Sequence, residues 1–135
     1  MALAKSSQQL IAEARTKITT LNLDQALEKY HRGDAVFVDI RDVRELQREG
    51  MIPGAVHAPR GMLEFWVDPE SPYFKEIFGS GREFILYCQS AWRSSLATAT
   101  LQDMGLTPVS HVEGGFKAWK AAAMPTTEYN REHKH

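Results

Sequence analysis

The sequence contains one cysteine in 135 residues, and this scarcity excludes several kinds of site. A single cysteine cannot form an intramolecular disulfide or supply a multi-cysteine zinc cluster. With scattered histidines as the other soft ligands, we expect no metal site, and we expect no cofactor. Nothing in the cysteine content calls for an oxidising compartment, so we expect a cytoplasmic protein.

Net charge and long apolar runs are also lacking. The chain has 16 Lys and Arg against 17 Asp and Glu, a formal charge of −1. This balance argues against a nucleic-acid partner, since dedicated nucleic-acid binders usually carry a basic excess. No stretch approaches the ~18 apolar residues typical of a membrane span. The N-terminal segment lacks the apolar run and cleavage site of a secretory signal, so we expect no membrane association.

The length fits one domain with a short element at each end. Residues 1–19 predict an amphipathic helix packed on the domain, and residues 126–135 predict a polar tail that includes His133 and His135. The domain itself is expected over residues 20–125. The apolar side of the N-terminal helix is expected to consist of Leu10, Ile11, Ala14 and Ile18.

Between these ends, strand and helix patterns alternate. Asn22 and Gln25 form a capping-box pattern at a helix start, and Asp42 is a candidate cap for another helix. Strands are predicted at 35–40, near 56, at 83–87 and at 109–112, and helices at 23–32, 43–49, 60–66, 71–78, 94–104 and 116–122. This alternation predicts an α/β domain with a largely parallel sheet, whose ligands bind at the carboxyl ends of the strands.

Cys88 follows the strand EFILY, so it is expected at that edge of the sheet. The loop after it leads into a predicted helix, and unpaired amides at a helix N-terminus favour a thiolate. Arg93 adds a permanent cation, and polar Gln89 and Ser90 lie between the two. A reactive thiolate beside an anion cradle suits nucleophilic attack on an anionic substrate. The alternative is a small buried core cysteine, which would not need such a loop.

Four segments in this order resemble the rhodanese-like sulfurtransferases, whose active loop reads Cys, four residues, Arg, then Ser or Ala. The segments are Val38 to Arg41, Gly50 to Ala55, Cys88 to Ser94 and Glu113 to Trp119, and Arg60 to Trp66 further resembles single-domain bacterial members. The resemblance covers residues 20–123. It implies a three-layer domain with a central, largely parallel sheet of about five strands flanked by helices.

The resemblance also implies a reaction. The Cys88 thiolate would take a sulfane sulfur from thiosulfate or a persulfide donor, and would pass it to cyanide in an assay or to a thiol or acceptor protein in the cell. The implied substrate-binding residues are Gln89, Ser90, Ala91, Trp92 and Arg93, with Arg60 as a further candidate. The protein would be a monomer or a homodimer. Many relatives have Gly at the position of Ala91, and Ala costs roughly 1 kcal/mol or more if a positive φ is required there.

Two other functions remain open from the sequence. Phosphatases and arsenate reductases also use a cysteine loop ending in Arg, but their loops carry one more residue and so leave room for a tetrahedral oxyanion. A non-enzymatic binding module with a passive Cys88 is the other alternative.

Several polar and aromatic residues near this edge have a structural interpretation. Asp39 and Arg41 are expected to form a hydrogen bond or an ion pair with Glu45, and Arg60 could form a surface salt bridge. Trp66 and Trp92 could wall a pocket, whereas Trp119 is expected in the core. His57 and His111 are expected to be partly buried with satisfied rings.

Overall fold

The computed structural model describes residues 2–130. Residues 131–135, which include His133 and His135 of the predicted tail, lie outside the described residues. The part of the tail that is described contains Thr127, which forms an antiparallel bridge with Met51.

The described chain alternates helices and strands, as the sequence predicts. The strands are β1 (Thr19–Leu21), β2 (Ala35–Asp39), β3 (Val56–His57), β4 (Glu83–Tyr87) and β5 (Val109–Val112). The α-helices are α1 (Ser7–Arg15), α2 (Leu23–Arg32), α3 (Val43–Glu49), α4 (Leu63–Val67), α5 (Trp92–Asp103) and α6 (Gly115–Ala121). Two short 3₁₀ helices lie at Arg60–Met62 and Glu76–Gly79.

The strands form one five-stranded sheet in the order β1-β5-β4-β2-β3, and every neighbouring pair is parallel. Alternate residues of β2 and β4 point to opposite faces, so each face carries its own apolar cluster. Val38 and Leu86 belong to a cluster that also holds residues of α4 and α5. Phe37 and Ile85 belong to a cluster that also holds residues of α2, α3 and α6. The predicted three-layer α/β fold is confirmed.

Local signals in the sequence place the helices that flank the site. Asn22 and Gln25 form the predicted capping box of α2, and Asp42 and Glu45 form a second one at the start of α3. Each box satisfies amides that a helix N-terminus otherwise leaves unpaired. Helix α1 packs on α5. It buries Ile11 and Ala14 as predicted, but it leaves Leu10 exposed. The helix spans only Ser7–Arg15, so the predicted helix over residues 1–19 is too long and Ile18 does not belong to its apolar side.

One predicted helix is wrong, and one observed strand was not predicted. Residues 71–78 do not form one helix, and only a 3₁₀ turn forms from Glu76. Two hydrogen bonds compete with a helix here: the Tyr73 amide donates to the Ser71 hydroxyl, and the Lys75 amide donates to the Trp66 carbonyl. Strand β1 was not predicted from the sequence. This edge strand is only three residues long, which is too short for a clear alternation of apolar and polar residues, and it forms through its pairing with β5.

Candidate active site

Cys88 lies immediately after β4, at the carboxyl edge of the parallel sheet, as expected. Its side chain is 1% exposed, and its Sγ accepts a hydrogen bond from the Ser94 amide at 3.3 Å. Ser94 belongs to the first turn of the 12-residue helix α5. The sulfur therefore faces the positive end of a helix, an environment that favours a thiolate.

The turn between Cys88 and α5 depends on a left-handed residue. Ala91 has φ 75° and ψ 2° and is buried. Its carbonyl accepts the amide of Ser95 at 3.1 Å and the hydroxyl of Ser95 at 2.6 Å. The loop thus adopts the positive φ that Gly would accommodate more easily, and Ala91 bears a cost of about 1 kcal/mol or more for it.

Helix α6 holds the first part of the loop by its backbone. The Phe116 amide donates to the Cys88 carbonyl at 2.8 Å, and the Lys117 amide donates to the Gln89 carbonyl at 3.1 Å. Gly115 allows this approach, because a Cβ there would lie 2.6 Å from the Cys88 oxygen and 2.7 Å from the Gln89 oxygen. These two hydrogen bonds fix the start of the loop against α6.

Arg93, which ends the loop, is bound to α3. Its Nη1 and Nη2 donate to the two carboxylate oxygens of Glu45 at 2.8 and 2.9 Å. These hydrogen bonds lower the pKa of Glu45, and the same pair raises the pKa of Arg93. The negative charge of a Cys88 thiolate also raises the Arg93 pKa, so the guanidinium lies within electrostatic reach of the sulfur.

The predicted contact of Asp39 and Arg41 with Glu45 is wrong. Arg41 instead binds Asp39, with Nη2 2.7 Å from Oδ2, and both side chains are fully buried. Arg41 also donates to Gln89 Oε1 at 3.1 Å, while Gln89 Nε2 donates to Glu49 Oε1 at 3.1 Å. The Gln89 side chain is therefore held between Arg41 and Glu49. Sequence reasoning missed Glu45 as the partner of Arg93, because 48 positions separate the two.

A buried hydrogen-bond chain runs from the loop to the sheet edge. The Ser94 hydroxyl lies 2.9 Å from His111 Nδ1, and His111 Nε2 lies 2.9 Å from Thr20 Oγ1. Burial lowers the pKa of His111 to about 4, so the ring is neutral near pH 7. The satisfied ring agrees with the sequence prediction, although His111 is fully rather than partly buried. Its link to Cys88 through Ser94 was not predicted.

The remaining predicted residues lie at the surface of this edge. Ser90 and Trp92 are exposed. The Arg60 amide donates to the Ile40 carbonyl at the end of β2, and the Arg60 guanidinium forms a 2.7 Å ion pair with Glu64. Trp66 lines a cavity of about 120 Å³, which does not include Trp92. The other members of that lining are Val56, His57, Lys75 and Ile77.

Within residues 2–130, no group of three or more His, Cys, Asp or Glu side chains could hold a metal ion. In the same range, no helix has the length and apolar character needed to cross a membrane.

Comparisons with known proteins agree with this geometry. The rhodanese-like domain family matches residues 22–122. A solved structure from Rhodopseudomonas palustris, described as a protein of unknown function and possible tyrosine phosphatase, is 46% identical with a TM-score of 0.90, covering 94% of this chain and 98% of that one.

Two relatives known from their sequences are more distant. A sulfurtransferase of Allochromatium vinosum is 32% identical over 92 residues, which is 68% of this chain and 78% of the relative. An uncharacterized protein of Synechocystis is 33% identical over 105 residues, and the match spans 77% of this chain but 54% of that relative. This chain belongs to the rhodanese-like domain family.

Proposed function

We propose that the protein is a sulfurtransferase that carries a sulfane sulfur on Cys88. The observation that carries this proposal is the 3.3 Å hydrogen bond from the Ser94 amide to Cys88 Sγ, at the start of α5. A sulfur in this position is stabilised as an anion, both as a thiolate and as a persulfide. Similarity to a sulfurtransferase over two thirds of the chain supports the same activity.

The proposed reaction has two displacement steps at sulfur. The Cys88 thiolate attacks the outer sulfur of thiosulfate or of a persulfide, the donor's S–S bond breaks, and sulfite or a thiol leaves. Cys88 then carries the sulfur as a persulfide anion. An acceptor thiolate or cyanide attacks the outer sulfur, and Cys88 leaves as a thiolate with no net oxidation of the protein.

The residues of the loop have distinct proposed roles in these steps. The backbone from Gln89 through Ser90, Ala91 and Trp92 surrounds the outer sulfur, and Arg93 is a candidate to orient the donor to the extent that its pairing with Glu45 leaves its charge available. Arg60, whose backbone is tied to the end of β2, is a further candidate for donor binding. A small sulfur donor, and a thiol or protein acceptor, are the proposed partners.

The setting and organisation of the protein are also proposals. A cytoplasmic location suits this mechanism, since thiols stay reduced there and the reaction starts from a free thiol. We propose residues 20–125 as the catalytic domain, with residues 1–19 packed on it, 126–135 as a tail, and a monomer or homodimer as the working form.

Phosphate hydrolysis is the second candidate, favoured by the description of the Rhodopseudomonas palustris structure. Two features oppose it. Only four residues separate Cys88 from Arg93, and the Arg93 guanidinium that would hold phosphate oxygens is occupied by Glu45. Cys88-dependent hydrolysis of an aryl phosphate, without sulfur loading, would establish the phosphatase instead.

The decisive experiment is intact-mass analysis of the purified protein after incubation with thiosulfate or a persulfide donor. We expect the mass to rise by one sulfur atom, and cyanide to remove that atom as thiocyanate. Cys88→Ser, which differs from the native side chain by one atom, should show neither result. If no donor adds sulfur to the native protein, the proposal is wrong.

A further inference from the structure

Glu45 is held from two sides beside the loop of Cys88. Its Oε2 accepts the Asp42 amide at 3.0 Å, which closes the capping box of α3. Both carboxylate oxygens also accept from Arg93. The Glu45 side chain is 17% exposed, against 40% for Arg93, so the carboxylate is the more deeply set member of the pair. This carboxylate is therefore a fixed negative charge at the site.

The two guanidinium groups that adjoin the loop are both paired with carboxylates. Arg93 is bound by Glu45. Arg41, which donates a hydrogen bond to the Gln89 side chain, is bound by Asp39. Within the described residues, these four side chains contribute two positive and two negative charges, which cancel. An anionic donor that reaches Cys88 thus meets no excess of positive charge from them.

This cancellation affects sulfur donors according to their charge. Thiosulfate is a dianion, and to bind Arg93 fully it must displace Glu45 or accept the repulsion of a carboxylate next to the same guanidinium. A donor with one negative charge or none is repelled less by Glu45, because its sulfane sulfur needs only the backbone environment of Cys88.

We infer that Glu45 is a specificity-determining residue that disfavours dianionic sulfur donors and selects donors of low charge, such as the persulfide of a small thiol. This inference rests on the proposed sulfur transfer at Cys88 and assigns that site a class of donor. In the transfer, the Cys88 thiolate displaces the small thiol from its outer sulfur, and the released thiolate takes a proton from water.

The variant that tests this inference is Glu45→Gln. Glutamine preserves the capping box, since Gln25 performs the same role at the start of α2 in this chain. It removes the negative charge that neutralises Arg93. Glu28→Gln is the matched control, because Glu28 forms an exposed ion pair with Arg32 on α2 and its loss changes the net charge equally.

The donors are thiosulfate and methanethiosulfonate, which transfer sulfur by the same displacement and carry two and one negative charges. We expect Glu45→Gln to raise kcat/KM for thiosulfate about tenfold, mainly through KM, as one freed cation does for a charged ligand. The value for methanethiosulfonate should rise about threefold or less. Added salt should weaken thiosulfate use by Glu45→Gln more steeply than by the native protein. Glu28→Gln should leave the ratio between the two donors unchanged.

The inference is overturned if Glu45→Gln uses both donors but keeps the native ratio between them, or if thiosulfate use falls while methanethiosulfonate use is retained. Either of these results would leave the proposed sulfur transfer at Cys88 intact. A native protein that accepts sulfur from neither of these donors, nor from the persulfide of a small thiol, would instead overturn the proposed function.

Discussion

His111 makes the stability of the fold depend on pH. Its ring is fully buried between Ser94 and Thr20, and burial lowers its pKa to about 4, whereas a histidine in the unfolded chain titrates near 6.5. Below pH 6.5 the unfolded chain therefore takes up a proton that the folded chain does not. The free energy of unfolding falls as the pH falls from 6.5 to 4, and this contribution is constant below pH 4.

The size of this effect follows from the two pKa values. Between pH 7 and pH 5, His111 alone should lower the free energy of unfolding by about 2 kcal/mol. Urea unfolding at both pH values, followed by the fluorescence of the three tryptophans, of which Trp119 is buried, measures the change. His111→Gln keeps hydrogen-bonding atoms without titrating, so the variant should lose about that much of the native dependence on pH, whatever its own stability.

The matched control is His31→Gln, since His31 is exposed on α2. This variant should retain the pH dependence of the native protein. The pKa of Glu45 is lowered by its bond to Arg93, but Glu45 is present in all three proteins and so cancels in the comparison. An equal change between pH 7 and pH 5 in the native protein and in His111→Gln would refute the reasoning.

Substitutions at three positions, Ala91, Gly115 and Arg41, test the packing around the loop, each by thermal or urea unfolding together with sulfur loading. Ala91→Gly should change the free energy of unfolding by less than about 1 kcal/mol, because relief of the positive φ is offset by backbone entropy and the loss of a buried methyl group. Ala91→Val should lower it by more than about 2 kcal/mol, and equal stabilities of the Gly and Val variants would contradict a left-handed Ala91. Gly115→Ala should destabilise the fold by more than about 2 kcal/mol and prevent sulfur loading of Cys88, since its Cβ would meet the carbonyls of Cys88 and Gln89. The control is Gly81→Ala, where φ is also positive but the surrounding space is open. This variant should lose about 1 kcal/mol of stability and still accept sulfur. Arg41→Met should cost about 3–5 kcal/mol by leaving Asp39 buried without its partner, and a loss below about 1 kcal/mol would show that the pair is dispensable.

Short-range patterns were enough to predict much of the fold. The capping box of Asn22 and Gln25 and the apolar strand before Cys88 involve neighbours in the chain, so their signals are local. The position of Cys88 at the carboxyl edge then follows from the geometry of parallel sheets. Residues 71–78 show the limit of such patterns, because hydrogen bonds to Ser71 and Trp66 outweigh an apolar spacing typical of a helix.

The partners of the charged residues could not be predicted in the same way. Arg93 lies 48 positions from Glu45 and Arg41 lies 48 positions from Gln89, so each contact depends on how helices and loops meet across the sheet. Several carboxylates near α3 carry the same sequence signal as Glu45, and only the three-dimensional arrangement selects Glu45 for Arg93. The pair of Asp39 and Arg41 is different, because two positions separate these residues.

The four residues between Cys88 and Arg93 divide into an inner and an outer pair. Gln89 is tied to Arg41 and Glu49, and Ala91 is buried in the left-handed turn. Ser90 is exposed, and Trp92 is 58% exposed. Substitutions at these two outer positions should therefore change the surface that the loop exposes, while the hydrogen bonds that hold Gln89 stay the same. A fixed interior and a variable surface thus alternate along the four residues between Cys88 and Arg93.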